Sequence, residues 1–239
     1  MARLFVPALR LHGDRATLDD AAHRHLVKVL RLGPGAAIQI FDGAGTEIAA
    51  RIESVGKAGV EVVLGERRLV PAPACNVTLL QSLPRGERMD LIVQKTTELG
   101  VARIVPVLAE HGMVKPPTGR RQRWQTIAQE AARQSGRADV PDVMEAMPLR
   151  TALALAGDRS HRFVLSEAER ERSFRAALAE GPRQVALLVG PEGGFTQAEL
   201  EGAAKAGFLP VSVGPRILRS ETAAIVAVAL VQASAGGLD

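Results

Sequence analysis

The chain has 239 residues, 46% of them hydrophobic, so it can build a real core and is far from a disordered composition. Aromatic residues make up 3%, with no Tyr and a single Trp124, which leaves Ala, Val, Leu and Ile to fill that core. The net charge is +4; 30 basic residues include only five lysines, and the lone Cys75 excludes both an internal disulfide and a cysteine-rich metal site.

The arginine excess has two readings. Guanidinium forks suit phosphate and base stacking, but a codon bias toward Arg and Ala explains the excess equally well. The charge is uneven. Residues 1–72 carry ten basic and eight acidic groups, residues 73–150 eleven and eight, and residues 151–239 nine and ten. A polyanion is therefore expected to meet the first two-thirds of the chain. The five histidines form no convincing metal set, so no metal is expected. No signal segment and no apolar run of membrane-spanning length is read, and a cytoplasmic protein without a membrane partner is the expectation.

In chain order, residues 1–70 read as short strands between turn signals. Gly33-Pro34-Gly35 opens a run over 36–41, and Asp42-Gly43-Ala44-Gly45 turns into 47–55, where Ile48, Ala50, Ile52 and Val55 point inward. A second turn at 56–59 leads into 60–64. Such close spacing predicts a small antiparallel barrel. One helix interrupts it over 21–30, with Asp19 or Asp20 as cap. Val70-Pro71-Ala72-Pro73-Ala74 reads as a linker, which divides the chain into domains at 1–70 and 73–239.

After the linker, strands at 77–80, 104–108, 163–165, 185–189 and 211–213 alternate with helices at 89–99, 121–135, 196–206 and 220–233. This is the pattern of a parallel α/β sheet. Thr196-Gln197-Ala198-Glu199 is a capping box, and Ser220 is a candidate cap for the last helix. That helix is apolar on nearly every face from Ala223 to Val231, which predicts burial by threading into the fold or by a subunit interface.

Two loops carry chemistry. Gly190-Pro191-Glu192-Gly193-Gly194 directly follows an apolar strand, where ligands meet parallel sheets. It is neither a P-loop nor a dinucleotide turn. Gly214-Pro215-Arg216-Ile217-Leu218-Arg219-Ser220-Glu221-Thr222-Ala223 again follows a strand and opens a helix, and it packs two arginines and a glutamate between apolar elements.

Together these loops resemble the SPOUT-class methyltransferases, and more narrowly the bacterial 16S ribosomal RNA uridine-N3 methyltransferase family. Arg3-Leu4-Phe5-Val6, His25-Leu26-Val27-Lys28-Val29-Leu30-Arg31-Leu32, Lys95-Thr96-Thr97-Glu98-Leu99-Gly100-Val101 and Glu130-Ala131-Ala132-Arg133-Gln134-Ser135-Gly136-Arg137 extend the likeness over almost the whole chain. The resemblance implies an N-terminal PUA-like RNA-binding β-barrel, a C-terminal SPOUT α/β domain with a trefoil knot, and a homodimer. It implies S-adenosylmethionine as methyl donor, held by Leu165, Gly190, Glu192, Gly194, Gly214, Ile217, Leu218, Arg219, Thr222 and Ala223. The implied substrate is a uridine of 16S ribosomal RNA within the 30S subunit. Glu221 is the candidate base for the N3 proton, and Arg219 the candidate partner of the developing uracilate charge. Arg3, Arg10, Arg31 and Arg85 are candidate RNA contacts. Three other readings stay open from the residues: a ribose 2′-oxygen methyltransferase of the same class, a non-catalytic RNA-binding assembly factor, and a Rossmann-type enzyme. The late position of the glycine turn argues against the last of these.

Overall fold

The computed structural model describes residues 1–8, 11, 13–56, 59–112 and 118–238, with the side chains of Asp20 and Ala21 left aside. It divides into two compact units: Met1–Ala72 with Ala132–Val140, and Pro73–Ala131 with Pro141–Asp239. The first boundary falls inside the Pro71–Pro73 linker. Residues 132–140, which the sequence alone assigned to the second domain, belong to the first unit.

The first unit contains β1 (Ala2–Phe5), β2 (Arg15–Leu18), β3 (Ala37–Phe41), β4 (Thr46–Gly56) and β5 (Gly59–Leu69). Its sheet has the order β1-β3-β4-β5-β2. The β3–β4, β4–β5 and β2–β5 pairs are antiparallel, as expected, but β1 pairs with β3 in parallel. Period-two burial explains β4. Ile48, Ala50 and Ile52 are buried, Ala49, Arg51 and Glu53 are exposed, and Val55 packs half-buried against the same core. That core also holds Leu18, Leu26, Ile38, Ile40, Val60 and Val62.

The single helix expected over 21–30 is instead two pieces. A short α1 (Asp20–His23) passes into a π-helical turn, Arg24–Val29. Asp19 caps it as expected, its Oδ1 accepting from the Ala22 N–H at 3.1 Å.

The second unit contains β6 (Asn76–Ser82), α2 (Arg88–Glu98), β7 (Val101–Leu108), α3 (Arg120–Ser135, whose last four residues count with the first unit), β8 (Asp142–Val143) and β9 (Met147–Pro148). There follow α4 (Leu149–Leu155), β10 (His161–Leu165), α5 (Phe174–Ala177), β11 (Gln184–Val189), α6 (Gln197–Lys205), β12 (Leu209–Val211) and α7 (Ser220–Ser234). Every pairing is parallel, in the order β12-β10-β11-β6-β7-β8, with β9 also on β7. β6 and β11 lie at the centre and are buried along all but their first residues. Continuous apolar strands are what a sheet covered on both faces requires. β11, late in the chain, sits between β10 and β6, so the strand order reverses there.

The strand expected at 211–213 lies earlier. β12 ends at Val211, where its pairing with Leu165 stops, and Ser212 and Val213 belong to the following loop. α7 packs against α2, β6 and β11. Ala224, Ala227, Val228 and Val231 are buried, while Ile225, Val226, Ala229 and Leu230 are half-buried in the single chain. Near the end of this helix, polar Gln232 is fully buried. Gln232 accepts from the Cys75 N–H at 3.3 Å and donates from Nε2 to the carbonyls of Cys75 and Gly100, each at 2.9 Å. No described helix is long and apolar enough to cross a membrane.

Candidate functional site

β10, β11 and β12 run parallel and end side by side at Leu165, Val189 and Val211. The loops that leave them line one cleft of about 470 Å³. This is the crevice where open parallel sheets take ligands, and the volume is that of a small-molecule site. Leu165, Gly190, Glu192, Gly194, Gly214, Ile217, Leu218, Arg219 and Ala223 all line it. The structure thus brings together nine of the ten residues named for the cofactor. Thr222 is the exception: it is exposed on the first turn of α7 and is not part of the lining.

Local chemistry explains the loop shapes. A Cβ at Gly193 would come within 2.9 Å of the His111 Cβ, so only glycine lets the turn lie against the segment after β7. There the His111 Nδ1 and the Gly193 carbonyl oxygen are 3.0 Å apart. Gly214 has φ +126°, a conformation that side chains rarely adopt. Downstream the turn is fixed by the capping box: the Thr196 hydroxyl accepts from the Glu199 N–H, and the Glu199 carboxylate accepts from the Thr196 N–H.

Ser220 does not cap α7. Arg219 occupies the cap position, and Ser220 is the first helical residue. Its hydroxyl is buried and does other work, donating to the Gly190 carbonyl at 2.6 Å and accepting from Gln81 Nε2 at 2.9 Å. The carboxyl end of β6, the glycine turn after β11 and the start of α7 are thereby tied at one point. Polar Gln81 and Ser82, side by side at the buried end of β6, are the sequence signal that marks this point, because buried amides and hydroxyls need partners.

Glu221 follows directly, and its side chain is 12% exposed. Its Oε1 faces Arg88 Nε at 3.9 Å, and its Oε2 is buried with no hydrogen-bond partner among the described residues. Arg88, the first residue of α2, also forms an ion pair with Glu192 on the glycine turn. One guanidinium thus faces two carboxylates, one on the glycine turn and one on the first turn of α7. Nothing in the local sequence marks Arg88 for this role, since its partners lie 104 and 133 positions away. Glu221 itself is beside the cleft, outside its lining.

The apolar walls and open backbone groups fit a flat, weakly polar ligand. Ile217, 77% exposed, is a large apolar side chain left at the cleft with no protein cover.

The candidate RNA contacts separate. Arg31 and Arg85 are exposed, and Arg10 lies outside the described residues. Arg3 has a different job. It pairs with Glu47 at 2.8 Å, donates to the carbonyls of Ala132 and Arg137 at 3.1 and 2.8 Å, and lies 4.3 Å over the Phe41 ring. Its side chain is 12% exposed, so it braces the first unit and has no free donor face for RNA. Burial alone would push the Glu47 carboxyl up. Hydrogen bonds and charge from Arg68 and Arg3 outweigh it and hold the group below its ordinary value.

Comparison with known proteins fits this site. The RNA methyltransferase domain family matches residues 71–232, and the RNA methyltransferase PUA domain family matches residues 18–65. A ribosomal RNA small subunit methyltransferase E from Synechocystis is 35% identical over 97% of this chain and 77% of its own length. The chain belongs to the ribosomal RNA small subunit methyltransferase E family. A crystal structure of the family member from Neisseria gonorrhoeae, bound to S-adenosylmethionine, superposes with a TM-score of 0.87 at 36% identity, covering 98% of this chain and 97% of that one. A Legionella pneumophila protein solved with the bound cofactor superposes with the same TM-score at 34% identity, covering 97% and 96%.

Proposed function

We propose that this protein transfers the methyl group of S-adenosylmethionine to N3 of a uridine in 16S ribosomal RNA, acting on the small subunit. The observation that carries this reading is the single cleft that three loops build at the ends of β10, β11 and β12. Family members of the same fold are solved with S-adenosylmethionine bound.

When bound, S-adenosylmethionine supplies an electrophilic methyl group. Leu165, Ile217, Leu218 and Ala223 give its adenosine apolar walls, and the backbone of the Gly190–Gly194 and Gly214 loops gives polar partners at close range. Covering Ile217 removes an exposed apolar side chain from water. The target base has to leave any stack to reach the cleft. Uridine N3 carries a proton that must be lost as the nitrogen attacks, and Glu221 Oε2 is a buried carboxylate oxygen with no described partner to compete for that proton. Arg219 at the cleft wall meets the negative charge that develops on the uracil ring. Residues of the cleft that hold the base in one orientation would supply much of the rate.

Finer features belong to the same reading. The last segment runs from the edge strand β12 back over β6, β11 and α2, the course a trefoil knot would need. The first unit's five-stranded sheet would close as a PUA-like RNA-binding barrel. The half-buried Ile225, Val226, Ala229 and Leu230 would be covered in a homodimer. Arg31 and Arg85 remain its RNA contacts, and the protein would work in the cytoplasm. The test is nucleoside mass spectrometry of small subunits that lack the modification, incubated with the protein and S-adenosylmethionine. Appearance of 3-methyluridine is the expected result; a ribose-methylated nucleoside, or none, overturns the reading.

A further inference from the structure

Glu192 is the one charged residue of the Gly190–Gly194 turn, and it lines the cleft. The backbone of that turn is already tied. Its Gly190 carbonyl accepts from the Ser220 hydroxyl, its Pro191 carbonyl from the Gly194 N–H at 3.0 Å, and its Gly193 carbonyl lies 3.0 Å from the His111 Nδ1. What remains to be fixed is the Glu192 side chain, and Arg88 Nη1 takes its Oε1.

Arg88 stands on a fixed base. It is the first residue of α2, and two positions on the Asp90 carboxylate accepts from Arg123 Nε at 2.9 Å and from Trp124 Nε1 at 3.1 Å. Arg123 also faces Glu87 at 3.7 Å. The two acids that flank Arg88 on its own segment are therefore taken up by α3. The Arg88 guanidinium is left to acids from remote segments. Its Nη1 meets Glu192, and its Nε, on the other edge of the fork, faces Oε1 of Glu221 at 3.9 Å, an ion pair longer than a hydrogen bond. Arg88 itself lies outside the lining of the cleft.

Resting on the methyl-transfer reading above, we infer that Arg88 is a positioning residue that couples the cofactor turn to the proton acceptor. It fixes the turn through Glu192, and with the same fork it engages Oε1 of Glu221, so that Oε2 is the oxygen left to take the proton of the target base. The shape of the side chain matters. A guanidinium presents five N–H donors in one rigid plane, whereas an ammonium is a point charge on a flexible stem. Lysine can meet either carboxylate but cannot hold both in one geometry. Partly exposed ion pairs contribute little to stability, so the effect of this one is read in the rate.

The experiment combines calorimetry of S-adenosylmethionine binding with methyl transfer to small subunits that lack the modification, using the full chain. Arg88→Lys should keep the thermal midpoint, the cofactor affinity and KM for the subunit, yet lower kcat by about tenfold or more, as misplacement of a reacting group does. With Glu221→Gln in place, Arg88→Lys should slow transfer no further, because no proton acceptor is left to position. Arg88→Met should also weaken cofactor binding, and its loss combined with that of Glu192→Gln should be less than the sum of the two. Wild-type kcat in Arg88→Lys would overturn the inference. So would additive slowing by Arg88→Lys and Glu221→Gln. A raised KM for the subunit with kcat kept would make Arg88 an RNA contact instead. If Arg88→Met fails to fold, Arg88→Lys, which keeps the charge, carries the decision. If the wild-type chain transfers no methyl group, the underlying reading fails, while the cycle of Arg88 and Glu192 in cofactor affinity still decides whether Arg88 holds the turn.

Discussion

The Ser220 hydroxyl lies 2.6 Å from the Gly190 carbonyl oxygen, joining the start of α7 to the glycine turn 30 residues earlier at the lining of the cleft. Ser220→Ala leaves that carbonyl and Gln81 Nε2 without their partner. Burying unmet polar groups costs about 1–3 kcal/mol. The expected result is weaker S-adenosylmethionine binding by calorimetry, with RNA affinity unchanged. Unchanged cofactor affinity would show that this tie does not shape the cleft.

Glu221→Gln keeps the size of the side chain and removes its ability to accept a proton. A general base contributes roughly 10²–10⁴ in rate. Single-turnover methyl transfer should slow by an amount in that range, while cofactor binding stays within twofold. A near-normal rate across pH would assign proton removal to water or hydroxide.

Arg3 and Arg68 hold the Glu47 carboxylate between them, and Glu47 is buried. Removing one partner of such a pair costs about 3–5 kcal/mol. Arg3→Met should lower the urea midpoint by a matching amount. The pH dependence has a defined sign. The folded-state pKa of Glu47 lies below its unfolded value. Its stabilisation is therefore complete above that unfolded value and is lost as pH falls through the folded one. Glu47→Gln should flatten the acid limb of the stability curve.

Cys75 is fully buried, and burial pushes its thiol up to about 11. A thiol-directed maleimide at pH 8 should leave the native chain unlabelled and modify it only as it unfolds. Rapid labelling under native conditions would mean that the start of β6 opens readily.

Gln232→Leu tests the one buried amide in α7. The substitution fits the apolar helix by composition, yet it strips the Cys75 N–H and C=O and the Gly100 C=O of a shared partner. A loss of about 2–4 kcal/mol in denaturant unfolding is expected. A neutral result would mean that water reaches these groups.

Periodicity and turn chemistry were sufficient for much of this molecule. Ile48, Ala50 and Ile52 revealed β4 because a half-buried strand alternates. The apolar run 185–189 marked β11 because a central parallel strand is covered on both faces. Thr196 and Glu199 announced α6 because a helix start leaves N–H groups that only nearby side chains can reach. The likeness of the two loops to a known family placed nine cofactor candidates on one cleft. Everything decided by distant partners was illegible. Whether Arg3 faces RNA or Glu47 depends on carbonyls about 130 residues away. Ser220 reads as a cap until Gly190 and Gln81 are brought against its hydroxyl. Arg88 gains its two carboxylates only when α2, the glycine turn and α7 converge. Local sequence sets backbone preference and which faces are apolar, because those depend on neighbours a few residues off. Which polar group meets which is set by the packing that brings remote segments within hydrogen-bond reach, and that is a property of the folded chain alone.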